Sequence, residues 1–339
     1  MADYFLNLPK EQQFALLQQY APATDMLPFI LEKDIWVCWA LQQLFAMPEP
    51  LQMAFKGGTS LSKVYQVIDR FSEDIDITVD YRGFVEIVKG NESRSEIVRL
   101  SEKLKSFLLE YTKGKIKPYF EKVMSKQFGK EAGRIDLSGD GEKLYIHYPS
   151  VFDNKSTGYL SSSVLLEFGG RNITEPNEER KVSPYISRVL SSYLFPEPIV
   201  TVLALHRTYW EKATLIHVEC NRPNERPETS RLSRHWYDLY QMSNNLSDFQ
   251  LPAAHKVLCD VVRYKKVFFH YSYANYDLCL SGGLKLVPAG KLKTALEADF
   301  KSMVDVGMFY NEPPAFQKIL DRLTQVEQIL NESIRTHNQ

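Results

Sequence analysis

Two short stretches decide the fold of this chain: Phe55–Leu61, with the sequence FKGGTSL, and Phe71–Ile77, with the sequence FSEDIDI. The paired glycines of the first stretch free the backbone to approach an anion. The hydroxyls of Thr59 and Ser60 stand where the next helix begins, and unpaired N–H groups at a helix start attract phosphate. The first stretch therefore predicts a phosphate-binding turn.

The second stretch supplies a pair of carboxylates, Asp74 and Asp76, at the start of an apolar strand expected over residues 75–80. Residues two apart on a strand project from the same face of the sheet. Both carboxylates can then bind Mg²⁺, or Mn²⁺, because hard divalent ions prefer carboxylate and phosphate oxygens. The alternative is a solvated turn, where this short pattern also occurs by chance.

Glu167 is a third candidate acid, because it lies in an otherwise apolar strand expected over residues 163–168. Burying a carboxylate without a partner is costly. Glu167 completes the metal site in one interpretation, and in the other it forms an ion pair with Arg171.

Composition bounds the class of protein. The chain has 339 residues, 44% of them hydrophobic, which is enough for one large or two modest domains. A net charge of −1 argues neither for nor against a nucleic-acid partner. Four scattered cysteines are typical of free thiols in a reducing compartment. Without a signal peptide or an apolar run of about 20 residues, we expect a cytoplasmic protein that does not contact a membrane.

The predicted elements divide the chain near residue 198. An α/β half (1–198) precedes a helical half (199–339), and we expect the nucleotide to lie in the cleft between them. The predicted helices are 10–47, 60–68, 95–111 and 201–219, the predicted strands are 75–80, 143–148 and 163–168, and the predicted loops are 153–158 and 221–227.

The order of glycine turn, helix and acidic strand resembles the polymerase β-related nucleotidyltransferase superfamily. Within it, the sequence resembles the AbiEii/AbiGii toxin family at Lys56–Lys63, Tyr65 and Arg70–Ile77. The resemblance implies an α+β fold, with a polymerase β-like mixed sheet, flanking helices and a C-terminal helical domain. Further segments that resemble the family are Leu31–Trp36, Arg207–Ala213, Ser233–Leu239, Leu284–Pro288 and Glu312–Phe316.

The resemblance also implies roles for later residues. Lys212 would bind the triphosphate, although a lysine in mid-helix ordinarily extends to solvent. Asp238 would orient Lys212 or a ribose, and Arg234 would contact phosphate. Arg231, Arg234 and Asp238 are spaced to share one helix face, which also suits an ordinary surface ion-pair row. The expected nucleotide contacts in the first half are Lys56, Gly57, Gly58, Thr59, Ser60 and Ser72.

The function implied is metal-dependent transfer of a nucleoside monophosphate from a nucleoside triphosphate to RNA, with the 3′ end of tRNA as the expected acceptor. The protein would be the toxin of a toxin–antitoxin or abortive-infection pair used in phage defence, held in check by an antitoxin encoded nearby. Two alternatives remain: nucleotidylation of a protein side chain, and a non-catalytic nucleotide-binding module.

Two clusters bear on an RNA partner. We expect the basic side chains of Lys56, Lys63, Arg207, Lys212, Arg231 and Arg234 to converge at the cleft. A second set of basic and aromatic residues either stacks nucleic-acid bases or packs in a helical core. Its members are Arg263, Tyr264, Lys265, Lys266, Phe268, Phe269, Tyr271, Tyr273 and Tyr276.

Overall fold

A computed structural model describes residues 3–85, 93–152, 163–223 and 229–337. The loop expected over residues 153–158 and most of the loop expected over 221–227 lie outside these ranges. The chain forms two units. The first contains Met1–Val64, Ser72–Ile87 and Arg99–Val202, and the second contains Tyr65–Phe71, Val88–Val98 and Leu203–Gln339.

The first unit is built on a seven-stranded mixed sheet. The strands are β1 (Met53–Lys56), β2 (Ile75–Asp80), β3 (Arg134–Leu137), β4 (Lys143–His147), β5 (Ser163–Asn172), β6 (Asn177–Lys181) and β7 (Ile199–Leu203). The helices that precede or separate them are α1 (Lys10–Tyr20), α2 (Pro28–Phe45), α3 (Gly57–Lys63), α4 (Arg94–Tyr111) and α5 (Lys117–Phe128). The start of α4, up to Val98, belongs to the second unit.

The strand order, β3-β4-β5-β2-β1-β7-β6, places the two motif strands in the middle of the sheet. β2 pairs antiparallel with β1 and parallel with β5. β4 pairs antiparallel with both β3 and β5. The glycine turn after β1 and the acidic start of β2 therefore lie on neighbouring strands, close to Glu167 of β5.

Helix α2 is buried along most of its length. Its tryptophans anchor an aromatic cluster: Trp36 stacks on Tyr148 with ring centroids 5.1 Å apart, and Trp39 packs against Phe120 and Phe128. Aromatic side chains of this size contribute much of the apolar area that a core buries. The cluster fixes α2 at a definite position within the unit.

The second unit is helical. Its segment Tyr65–Phe71 runs beside residues 308–310: Phe71 N–H donates to Met308 O at 2.8 Å, and Arg70 forms a bridge with Phe309. The helices that follow are α6 (Leu205–Cys220), α7 (Arg234–Met242), α8 (Leu246–Phe249), α9 (Pro252–Phe268), α10 (Tyr276–Leu280), α11 (Gly290–Asp305) and α12 (Phe316–His337).

The α+β class is confirmed, and so is the strand 75–80 that carries the acidic pair. The prediction of a helix from residue 201 is wrong, because Ile199–Leu203 is strand β7 and α6 begins only at Leu205. The β-branched residues of this segment favour a strand. Helix α6 begins almost at once, so the change from a strand pattern to a helical pattern is not visible in the sequence. The helix predicted over 60–68 begins at Gly57 and ends at Lys63. In the part of the chain that the structure describes, no helix has the length and hydropathy of a membrane span.

Candidate active site

The glycine turn and the acidic strand are in direct contact through Gly57. Gly57 has φ +79°, which favours glycine, and a β-carbon at this position would lie 1.9 Å from Asp76 Oδ2. Lys56 is opposite Asp76 in the β1–β2 register, so the turn begins beside this carboxylate. Only a residue without a side chain allows the carboxylate to take this place.

Asp76 is one member of a row of charged residues across the sheet. Asp76 pairs in register with Glu167 of β5, and Glu167 pairs with Lys143 of β4, so the three side chains share one face. Lys143 Nζ lies 2.9 Å from Glu167 Oε1. The hydrogen bond and charge of Glu167, and more weakly the charge of Asp74, raise the pKa of Lys143. Asp74 therefore lies near the same row.

The partner of Glu167 is Lys143, which the sequence did not predict, and Arg171 lies instead near Glu142 at 3.9 Å. The pairing is readable only once the β4–β5 register is known, since the two residues are far apart in sequence. The ion pair expected with Arg171 is therefore replaced by one with Lys143, and the metal-binding role of Glu167 stays a prediction. Glu167 stands beside Asp76, and it is already balanced by a cation.

The donor set suits a hard divalent ion, because Asp74, Asp76 and Glu167 offer carboxylate oxygens only. Among the described residues, the structure places no three acidic, histidine or cysteine side chains together in a metal-binding arrangement. Asp74 and Asp76 are the residues that fit a bound ion, whose other ligands would come from phosphate and water. Glu167, paired with Lys143, lies beside them.

The hydroxyls of the glycine turn hold the turn in place. Thr59 Oγ1 donates to the carbonyl of Asp74 at 2.6 Å and lies 3.0 Å from Ser72 Oγ, and Ser60 Oγ donates to the carbonyl of Gly57 at 2.9 Å. Thr59 and Ser60 are fully buried. These contacts tie helix α3 to the segment that carries Asp74, so the two halves of the motif form one rigid piece.

Helix α2 supports both halves through consecutive charged residues. Lys33 forms a buried ion pair with Glu73, the neighbour of Asp74, and Asp34 forms a buried ion pair with Lys63 at the end of α3. The backbone N–H of Tyr185 also donates to Asp34 Oδ2 at 2.7 Å. Burial alone would lower the pKa of Lys63, but the charge of Asp34 outweighs it and raises that pKa. Three adjacent charged residues within an apolar helix were the sequence signal for this support.

The third of these residues, Glu32, holds a different segment. Its carboxylate accepts hydrogen bonds from Ser150 Oγ at 2.6 Å and from Val151 N–H at 2.7 Å. Burial raises the pKa of Glu32 to about 7, although both hydrogen bonds and the charge of Lys10 oppose the shift. Glu32 therefore changes its charge close to neutral pH.

In the second unit, Asp238 is the centre of a buried charge cluster. Arg70 donates to both of its oxygens, at 2.7 and 2.8 Å, and Lys212 Nζ lies 2.9 Å from Oδ2. Burial would raise the pKa of Asp238, but Arg70 and Lys212 hold it well below its usual range. Because Asp238 is fully buried and bound by two cations, it orients Lys212 and has no oxygen facing solvent.

Lys212 has a second contact, with His235 Nδ1 at 3.4 Å. Burial and the charge of Lys212 lower the pKa of His235 well below its usual range, so its ring is neutral and Nδ1 can accept from the ammonium. Burial also lowers the pKa of Lys212, and Arg70 and Arg234 add to this effect while Asp238 opposes it. Arg70, whose role the sequence did not indicate, and His235 thus contribute to the position and charge of Lys212.

Two expectations about basic residues are wrong. Arg231 does not share a helix face with Arg234 and Asp238, because α7 begins at Arg234 and Arg231 has φ +59° before it. Lys63 is neutralised by Asp34, and Arg207 is buried with its guanidinium 2.8 Å from Asp260 and 3.3 Å from Glu211. The charges of Lys63 and Arg207 are thus balanced in the interior, and neither residue contributes to a basic surface.

The sequence profile of the nucleotidyl transferase AbiEii toxin family, of type IV toxin–antitoxin systems, matches residues 39–322. Among solved structures, the fold is similar to MenT4, a nucleotidyltransferase toxin from Mycobacterium tuberculosis H37Rv. The identity is 15%, the TM-score is 0.42, and the alignment covers 97% of this chain and 99% of that one. No curated protein sequence matches the chain.

The contact between Gly57 and Asp76 predicts a large difference between two alanine variants. Gly57→Ala should lose about 2 kcal/mol or more of unfolding free energy, because it adds both a clash and positive-φ strain. Gly114→Ala should be nearly neutral, since nothing lies within 4 Å of the added methyl group. Urea denaturation of both variants measures this difference. Equal stabilities would show that Asp76 does not lie against Gly57.

The shifted pKa of Glu32 predicts a pH-dependent stability. The pKa of Glu32 is raised from 4.5 to about 7 in the folded chain. Its contribution to the free energy of unfolding is therefore complete below pH 4.5 and is lost as the pH rises through about 7. The unmodified chain should therefore lose up to about 3 kcal/mol more than Glu32→Gln between pH 5 and pH 8. Urea denaturation across this range measures the difference, with the exposed Glu121→Gln as control. Parallel curves for the unmodified chain and Glu32→Gln would contradict the prediction.

Proposed function

This chain belongs to the AbiEii family of nucleotidyltransferase toxins of type IV toxin–antitoxin systems, and we propose that it transfers a nucleoside monophosphate from a nucleoside triphosphate to RNA in a metal-dependent reaction. The observation that carries the proposal is the close approach of Asp76 to the glycine turn, in a row with Glu167 and near Asp74. This arrangement brings carboxylates for a metal ion and a phosphate-binding turn within one rigid piece.

In the proposed reaction, the oxygen of an acceptor hydroxyl attacks the α-phosphorus of the triphosphate. The bond from that phosphorus to the α–β bridging oxygen breaks, and pyrophosphate leaves. A divalent ion bound by Asp74 and Asp76 would neutralise negative charge at the α-phosphate. Lys56, Gly57 and Gly58 would position the phosphates through backbone approach and charge. Thr59, Ser60 and Ser72 keep that turn in shape through the hydrogen bonds described above.

Glu167 is the proposed third carboxylate of the site. From its place next to Asp76, it can assist the metal ion or receive the proton of the attacking hydroxyl. Its ion pair with Lys143 holds the carboxylate in place on this face of the sheet. Lys143 then orients Glu167, as Arg70 orients Asp238 in the second unit.

Lys212 is the proposed cation of the second unit for the triphosphate. Its ammonium donates to Asp238 and His235, which leaves one of its three protons for a phosphate oxygen. Arg70 and Lys212 together exceed the single charge of Asp238, so the cluster favours an added anion. Arg234, which is close enough to lower the pKa of Lys212, is a second phosphate ligand in this proposal.

For the acceptor we propose the 3′ end of tRNA, with translation arrest in the cytoplasm as the consequence and an antitoxin protein as the restraint. Such a toxin would serve phage defence by abortive infection. One observation favours a second candidate, nucleotidylation of a protein side chain. Lys63 and Arg207 were expected to contribute to an RNA-binding cleft, but both are buried in ion pairs. Both candidates use the same metal and phosphate residues.

Replacing one metal-binding carboxylate tests the reaction. Asp76→Asn should abolish Mg²⁺-dependent transfer and leave stability nearly unchanged, because it removes charge without changing side-chain size. The assay incubates the enzyme with each radiolabelled nucleoside triphosphate, tRNA and a cell extract, and then separates labelled RNA from labelled protein. The exposed Asp248→Asn variant is the control. Full transfer by folded Asp76→Asn would refute the metal assignment, and label in protein alone would identify the second candidate.

Lys212→Ala should weaken nucleotide binding by about 1.5–3 kcal/mol, the scale of a hydrogen bond to a charged group. The fold should survive, because Asp238 keeps its two bonds to Arg70. Isothermal titration calorimetry with nucleoside triphosphate measures the change, and the matched control is Lys293→Ala, which changes a half-exposed lysine of α11. Unchanged affinity in Lys212→Ala would show that its ammonium does not contact the triphosphate.

A further inference from the structure

The second unit carries an exposed aromatic stack between α9 and α10. Tyr271 and Tyr273 are stacked with ring centroids 5.4 Å apart and an angle of 19° between the rings. The guanidinium of Arg222 lies 5.1 Å from the centroid of the Tyr273 ring. The packing interpretation of the aromatic sequence holds for Tyr264, Phe268 and Tyr276, which are buried, but Tyr271 is 47% exposed. We call Tyr271, Tyr273 and Arg222 the tyrosine stack.

The backbone around the tyrosine stack is held in place. Ala274 N–H donates to the carbonyl of Tyr271 at 3.0 Å, which closes the turn that brings the two rings together. His217 Nδ1 accepts from Lys285 N–H at 2.9 Å, so its other nitrogen carries the proton and can donate to the carbonyl of Asn275 at 3.3 Å. The rings are therefore pre-organised, and binding a flat ligand requires little loss of side-chain entropy.

Cationic side chains lie near the turn that carries the tyrosine stack. Lys265 and Lys285 are close enough to His217 to lower its pKa, although burial of the ring is the larger cause. Arg222 is oriented by Glu219, whose carboxylate accepts from the guanidinium at 2.9 and 3.1 Å. Flat aromatic faces beside cations match the two chemical features of a nucleic-acid strand, its bases and its phosphates.

Helix α6 connects the tyrosine stack with Lys212. Arg222 follows the end of α6 at Cys220, and Lys212 lies in the middle of the same helix. The eight residues from Lys212 to Cys220 rise about 12 Å. A strand stacked on Tyr271 can therefore extend toward Lys212 within a few nucleotides.

We propose that the tyrosine stack binds unpaired bases of a single-stranded RNA segment in the acceptor. The proposal rests on the proposed function for RNA as the acceptor, and it adds how this protein would recognise that RNA. Stacking on a tyrosine face does not discriminate strongly between bases, so the stack would contribute affinity for an unpaired strand and little sequence preference.

The test compares Tyr271→Ala with Tyr271→Phe, which keeps the ring and removes only the hydroxyl. A fluorescently labelled ten-nucleotide single-stranded RNA is titrated with each variant, and an RNA duplex of the same length serves as a second ligand. Tyr271→Ala should weaken single-strand binding about tenfold, the effect of losing one base–aromatic contact. Tyr271→Phe should bind as the unmodified chain does, and affinity for nucleoside triphosphate should be unchanged in both.

In the transfer assay, Tyr271→Ala should raise the KM for RNA and leave kcat nearly unchanged, because Tyr271 is not among the residues proposed to bind the metal ion or the phosphates. Equal single-strand affinity in Tyr271→Ala and the unmodified chain would overturn the proposal and leave the stack as a surface for a protein partner. If both Tyr271 variants transfer nucleotide to RNA as the unmodified chain does, the role of the tyrosine stack is refuted but the proposed function is supported. A third outcome is that Tyr271→Ala loses single-strand binding while the unmodified chain labels only proteins. It would support RNA binding by the tyrosine stack and refute RNA as the acceptor.

Discussion

The ion pairs of helix α2 are the constraint on which the rest of the first unit depends. Lys33 binds Glu73 and Asp34 binds Lys63, so two neighbouring residues fix the acidic segment and the glycine helix at once. Buried charges of this kind contribute little net stability compared with apolar packing, but an unpaired charge left in the interior is strongly unfavourable. The pairs therefore act mainly by excluding other arrangements of α3 and β2. The tight contact of Gly57 with Asp76 can persist because the ion pairs of α2 hold both α3 and the segment that precedes β2.

The second unit uses the same device around Asp238. A fully buried carboxylate requires counter-charge, and it receives more than its own charge requires from Arg70 and Lys212. Arg70 donates from two guanidinium nitrogens to the two oxygens of the Asp238 carboxylate, whereas Lys212 keeps part of its hydrogen-bonding capacity. Arg70 thus has a structural role, and Lys212 retains a hydrogen-bond donor for another ligand. A neutral His235 limits the ways in which the available ammonium can turn.

The sequence predicted the elements whose signals are local. Strand β2 could be placed because its alternating apolar residues follow a distinctive acidic pair, and the class of fold followed from the order of turn, helix and strand. Strand β7 could not be placed, because five residues before a long helix share its apolar character. The partners of Glu167, Glu73 and Lys63 could not be found from sequence either, since each pair joins residues that only the tertiary fold brings together. Sequence indicated which residues carry charge, and the register determined which charges meet.

The distances along the chain between these partners have a consequence for synthesis on the ribosome. Asp34 meets Lys63 after 29 residues, but the backbone of Tyr185 reaches the same carboxylate only after 151. Asp76 likewise awaits its neighbour Glu167, and Lys212 follows still later in the chain. A nascent fragment that has emerged only through the glycine turn and the acidic pair lacks these supports. The carboxylate row is thus complete only after Glu167, when about half of the 339-residue chain has been translated, and no shorter nascent fragment carries it.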